Sequence, residues 1–130
     1  MNTTRARAAT PARDAERESC DERRLPPFAG KVVEVVYDGL AAIDDYAEDG
    51  RTGRYEITAG PLRGTRGEAR YEWREIAGQV QAISWQEADG ASVVHVDDFA
   101  RGTSPSFFTT PALAFYRLSG TVRPAAAAAG

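Results

Sequence analysis

The sequence holds one cysteine, one histidine, one methionine and, beside fifteen arginines, a single lysine. Cys20 alone can form no intramolecular disulfide and no thiolate metal site, and its polar neighbours give it the character of a free, exposed thiol. His95 is the only histidine, and no grouping of it with carboxylates has metal-ligand spacing, so no metal is expected. No apolar run approaches the roughly 20 residues needed to span a bilayer, so a membrane is not an expected partner. Arg5 and Arg7 are followed by no apolar stretch of signal-peptide type, which makes a cytoplasmic location the default. Basic residues form no stripe interleaved with aromatics in the region expected to fold, and the net charge is −3, so nucleic acid is not an expected partner either. The Gly-rich stretch Gly60-Pro-Leu-Arg-Gly-Thr-Arg-Gly67 lacks a Gly-Lys-Ser/Thr end and a strand-to-helix setting, which excludes a phosphate-binding P-loop. No cofactor is expected.

What remains is an ordinary soluble composition, 42% hydrophobic and 27% charged over 130 residues, enough for one domain. Residues 1–26 carry hardly any large apolar side chain before Leu25. Such a tail cannot bury enough surface to offset its ordering entropy, and disorder or weak helix is expected, with Thr10 to Glu18 transiently helical. Pro26-Pro27 opens a domain over residues 27–123, and residues 124–130 read as an Ala-rich flexible tail.

Within the domain the dominant hydrophobic period is two, the period of a strand. Lys31 to Tyr37 puts Val33, Val35 and Tyr37 on one face. Arg54 to Thr58 sets Tyr55 and Ile57 opposite charged or polar residues, and Ala69 to Glu75 does the same with Tyr71 and Trp73. Gln79 to Glu87 gathers Ile83, Trp85 and Glu87. Ser92 to Asp98, Ser106 to Thr110 and Leu113 to Val122 complete the set. Leu40 to Glu48 fits a short helix by propensity and an irregular strand by position; strand is favoured. Asp89-Gly90 predicts a hairpin of type I′, a turn that needs positive φ at both central residues. Seven or eight short antiparallel strands fit a sandwich or a barrel. Tyr and Trp on inner faces favour the barrel, where their polar atoms can line a ligand site.

Phe28-Ala-Gly30-Lys with the strand ending at Tyr37, then Tyr55-Glu-Ile57-Thr-Ala-Gly60 and Ser84-Trp85-Gln86-Glu87, resembles the phenolic acid decarboxylases. Phe107-Phe108 through Phe115-Tyr116-Arg-Leu-Ser-Gly120-Thr121 is more similar to the MoaF-like proteins. The resemblance spans about Phe28 to Arg123, with Ser-Trp-x-Glu its most specific piece. It implies an all-β fold, a small antiparallel lipocalin-like (calycin) β-barrel. For the decarboxylases it implies cofactor-free removal of CO₂ by two tyrosines, an arginine and a glutamate. Glu87 matches that glutamate and Tyr37 the second tyrosine. Val35 stands at the first tyrosine, and Thr65 at the arginine, with Arg63 and Arg66 nearby. These departures remove the expected grip on a substrate carboxylate, so decarboxylation of that kind is not expected. Related barrels often pair as dimers, which leaves a homodimer open.

The candidate catalytic residues are therefore Glu87, as general acid or base made so by an apolar setting, and Tyr37, as orienter. Tyr55, Tyr71, Trp73, Trp85, His95, Arg66 and Val35 are candidates to contact substrate. His95 could move protons, while Asp97 and Asp98 read as rim or turn residues, since i and i+2 side chains do not bond readily. Glu87 at a strand end could equally be solvated, and each aromatic could be wall rather than chemistry. Three functions follow: a cofactor-independent lyase, isomerase or cyclase acting on an aromatic or hydrophobic molecule; a carrier or sensor barrel that only binds one; or a barrel with a filled interior.

Overall fold

The computed structural model describes residues 24–125. The expected disorder or helix before Arg24, Cys20 included, and the tail from residue 126 onward lie outside the described residues. Nine strands follow in chain order: β1 Val32–Tyr37, β2 Leu40–Tyr46, β3 Thr52–Ala59, β4 Arg66–Ala77, β5 Val80–Gln86, β6 Ser92–Asp98, β7 Ser106–Thr109, β8 Phe115–Leu118 and β9 Gly120–Pro124. Among the described residues no helix is long and apolar enough to cross a membrane.

All nine strands belong to one antiparallel sheet in the order β8-β7-β6-β5-β4-β3-β2-β1-β9. Seven of its eight pairings join consecutive strands, as tight turns permit; the exception is β1 with β9. The strands at the two ends of this order, β8 and β9, are separated in the chain by Ser119 alone. The single strand expected over Leu113 to Val122 is thus two, because β8 pairs with β7 and β9 with β1. The segment after β6 also reaches β9: Ser104 N–H donates to Gly120 O at 2.9 Å and Val122 N–H to Gly102 O at 2.9 Å.

Leu40 to Tyr46 is strand, not helix. Its Ala-rich propensity yields to pairing on both sides, with β1 and with β3, the usual outcome when tertiary context competes with a weak local preference. The Asp89-Gly90 hairpin forms, but not as type I′, since only Gly90 has positive φ, +99°. Glu87 N–H donates to Ala91 O at 2.8 Å, so three residues make the loop and Gly90 takes the one left-handed position such loops require.

Period-two alternation places one side of each strand inside. Val33, Val35 and Tyr37 of β1, Ala42 and Tyr46 of β2, Tyr71 of β4, Ile83 of β5 and Val122 of β9 form the buried cluster with Phe28. Phe28 closes one end of it, meeting Tyr46 edge-on at 4.6 Å, Tyr71 at 5.5 Å and Trp73 at 6.2 Å between ring centroids. Phe99 stacks on Phe28 from 6.2 Å, so truncating Phe28 would leave a ring-sized void among four other aromatics. Phe28→Ala is expected to lower unfolding free energy by about 3–5 kcal/mol in urea denaturation, the range for buried aromatics.

Candidate functional site

The interior is not purely apolar. Asp44, Gln81, His95, Asp97, Ser104 and Ser106 are buried alongside the aromatics. Four of them owe their place to strand parity: Asp44 shares a face of β2 with Ala42 and Tyr46, Gln81 a face of β5 with Ile83, and His95 a face of β6 with Asp97.

Asp97 is the hub. Its Oδ1 accepts a hydrogen bond from Ser104 Oγ at 2.6 Å and lies 2.9 Å from His95 Nδ1. Ser104 Oγ in turn lies 3.4 Å from the Tyr37 hydroxyl, at the outer limit of a hydrogen bond. This corrects the expectation that Asp97 sits at a rim beside Asp98 and that i and i+2 side chains on one strand do not join. Asp97 is 0% exposed, and the chain that folds back after β6 brings Ser104 over it to fix the carboxylate within reach of the imidazole. Asp98, on the other face, behaves as read: its Oδ1 accepts the Ala100 and Arg101 amides at 3.0 and 2.9 Å in the turn.

With Nδ1 held by Asp97, the His95 ring directs Nε2 elsewhere, and that atom has no hydrogen-bond partner among the described residues. Nor have Asp97 Oδ2, Gln81 Oε1 and the hydroxyls of Tyr46 and Tyr71. Buried polar atoms are nearly always satisfied in native proteins, so five such atoms call for water or ligand atoms.

Burial sets the acid–base character of the group. It pushes the Asp44 carboxyl up from an ordinary 3.8 to about 6; the His95 charge works against this, and Asp97 and Glu87 reinforce it. Burial also opposes a charged His95, but the hydrogen bond and charge of Asp97, with the charge of Asp44, outweigh it and raise the imidazole above its usual value. Tyr37 is raised by burial as well, with Ser104 and Ser106 acting in the opposite sense.

Glu87 lies one layer out, half-buried beyond the end of β5. Burial raises its pKa, and hydrogen bonding from Trp85 and Tyr55 partly offsets this. Trp85 Nε1–H donates to Glu87 Oε2 at 3.3 Å. The Trp85 ring stacks on Tyr55 at 6.2 Å and meets His95 edge-on at 5.2 Å. Glu87 is thus tied through one indole to the buried histidine. Of the sequence candidates, the structure brings together Glu87, Tyr55, Trp85 and His95, with Tyr37 joined through Ser104 and Asp97. Tyr71 and Trp73 stand at the Phe28 end, and Val35 is core. Arg66 is elsewhere: exposed, it lies 3.7 Å from Glu56. Arg63 and Thr65 are likewise exposed.

Asp44 and Ser104 are the residues that sequence reasoning missed. Asp44 had a readable signal, because in a strand it must share a face with Tyr46. Ser104 had none, since it lies between strands. Around Asp44, Tyr46, Tyr55 and Trp85 the interior leaves a cavity of about 10 Å³, room for about one water molecule.

Known proteins bear on this arrangement in three ways. No functionally curated protein matches the chain. A crystal structure from Burkholderia vietnamiensis, described as a "putative beta-lactamase", is 57% identical, with a TM-score of 0.78 over 78% of this chain and 99% of that one. Residues 29–123 match the model of the MoaF-like family, a span that includes every strand up to β9 and every member of the buried polar group. The chain belongs to the MoaF-like family.

Proposed function

We propose that the sheet curls into a calycin-like barrel and that its interior binds a small aromatic or hydrophobic molecule with a polar edge, converting it by cofactor-independent acid–base chemistry of lyase, isomerase or cyclase type. One observation carries this reading: the Tyr37–Ser104–Asp97–His95 chain is buried, oriented, and ends in polar atoms that no described residue satisfies. A proton donor or acceptor at His95 Nε2, held in place by Asp97, has the anatomy of a general acid–base catalyst. Glu87, raised by burial and joined through Trp85, is a second proton-transfer group at the outer end, and Tyr37 is an orienter.

The neighbour's description invites a serine-hydrolase reading, which this arrangement does not favour. Such a nucleophile is activated by a histidine nitrogen and open to a carbonyl. Ser104 is buried and gives its hydrogen to Asp97.

A second reading is favoured by the small interior cavity: a filled barrel whose polar group is structural. The sole histidine separates the two readings. In NMR titrations with small phenols and aromatic ketones, the His95 imidazole resonances are expected to shift saturably; no shift with any of them would leave the filled barrel. For a molecule that binds and is converted, Glu87→Gln is expected to reduce turnover by about 10²–10⁴-fold while changing affinity little. Unchanged turnover would remove Glu87 from the chemistry.

The raised Asp44 pKa makes a prediction under either reading. The folded protein holds this proton more tightly than the unfolded chain, so stability is greatest below pH 4 from this group and is lost as pH rises through about 6. The shift is worth about 3 kcal/mol. Asp44→Asn is expected to flatten the decline in denaturation free energy between about pH 4 and 6.

A further inference from the structure

Acids outnumber bases inside the sheet. Asp44 and Asp97 are buried and Glu87 is half-buried. Every arginine and the one lysine among the described residues are exposed, which leaves His95 as their only buried basic side chain. Arg54 borders the small cavity, but its side chain is 72% exposed and lies 4.0 Å from Glu68. His95 is held by Asp97. Among the described residues no ion pair reaches Asp44 or Glu87.

The unsatisfied interior atoms point the same way. Gln81 and Asp97 face each other across β5 and β6 and are 1% and 0% exposed. Gln81 Oε1 and Asp97 Oδ2 have no partner among the described residues. An amide oxygen and a carboxylate oxygen only accept, so what completes the interior has to bring hydrogens, which a carboxylate ligand cannot. Asp44 lies close enough to Asp97, His95 and Glu87 for each to act on its charge.

Room for a hydrogen-rich group lies against Asp44. The cavity of about 10 Å³ is walled by Asp44, Tyr46, Tyr55 and Trp85. It suits one water molecule, and a primary ammonium is of that size. Three of those four walls are aromatic rings, whose faces attract a cation. Tyr55 stands opposite Asp44 on β2 and opposite Gly67 on β4, and a Cβ on Gly67 would collide with its hydroxyl. Gly67 thus lets the Tyr55 ring lie across β4 and stack on Trp85. Both rings are half-buried, so a molecule anchored at Asp44 runs outward along them.

We propose that the interior recognises a primary aromatic amine, its ammonium in the cavity beside Asp44 and its ring against Tyr55 and Trp85. This choice of ligand rests on interior binding as proposed above and fixes the polar edge of the molecule as a cation.

Three para-substituted phenols of similar size separate charge from ring: tyramine, a cation; para-ethylphenol, neutral; and para-hydroxyphenylacetate, an anion. The full chain is titrated with each at low ionic strength and about pH 7.5, above the value of about 6 to which burial pushes Asp44, so that its carboxylate is ionised. The His95 imidazole and backbone amide resonances report binding. Tyramine is expected to bind at least about tenfold more tightly than para-ethylphenol, a difference of about 1.4 kcal/mol, and the anion more weakly than either. Asp44→Asn is expected to remove the preference for tyramine. If that variant fails to fold, the wild-type amide shifts with tyramine decide the placement: they should centre on residues 44–46, 53–55 and 85–87. Equal affinity for the three, preference for the anion, or a tyramine preference that survives in Asp44→Asn would each overturn the amine assignment and leave interior binding standing. Amide shifts centred elsewhere, or no saturable shift with any of the three, would remove interior binding and the assignment with it.

Discussion

One carboxylate oxygen organises the interior. Asp97 Oδ1 takes a hydrogen from Ser104 and neighbours His95 Nδ1, so it joins β6 to the segment that returns across it toward β9. A buried carboxylate without partners costs several kcal/mol. Here the cost is offset only if the return segment is in place, so the polar group and the chain path from Asp98 to Gly120 depend on each other. The Thr103 bridges to Asp98 and to Thr121 run alongside and hold the same segment by its backbone.

That arrangement decides how the remaining groups behave. With Nδ1 occupied, His95 turns a single nitrogen toward the interior, and its charge is favoured by two acids, Asp97 and Asp44. Asp44 is held back from ionising chiefly by burial, and next by the nearby anions Asp97 and Glu87. Asp44 and His95 each act on the other's charge, so their protons are held jointly rather than owned by single residues. The aromatics supply the low-polarity walls that make this coupling strong: Trp85 lies between Glu87 and His95, and Phe28 seals the other end against Tyr46 and Tyr71.

The outer surface follows a different logic. Along β4 the residues facing away from the core are Arg70, Glu72 and Arg74, the polar half of an alternation whose other half is Tyr71 and Trp73. Glu72 and Arg74 lie beyond β3 because β4 extends past the end of β3 pairing, a matter of strand length and register.

The all-β class, most strand positions and the inward set Tyr37, Tyr71 and Trp85 were legible from period-two alternation, because a strand has only two faces and apolar residues choose one. Even the family was readable, from the local motif that runs from Phe107-Phe108 to Thr121. Alternation could not say which residues between strands return to the interior, so Ser104 was invisible and Asp97 was placed at the rim. Nor could it say that Arg66 would face Glu56 rather than a ligand, or that Arg24 would lie over the Trp73 ring. Those outcomes depend on register, strand length and the path of the returning chain, which bring together residues far apart in sequence and are fixed only when the whole sheet forms.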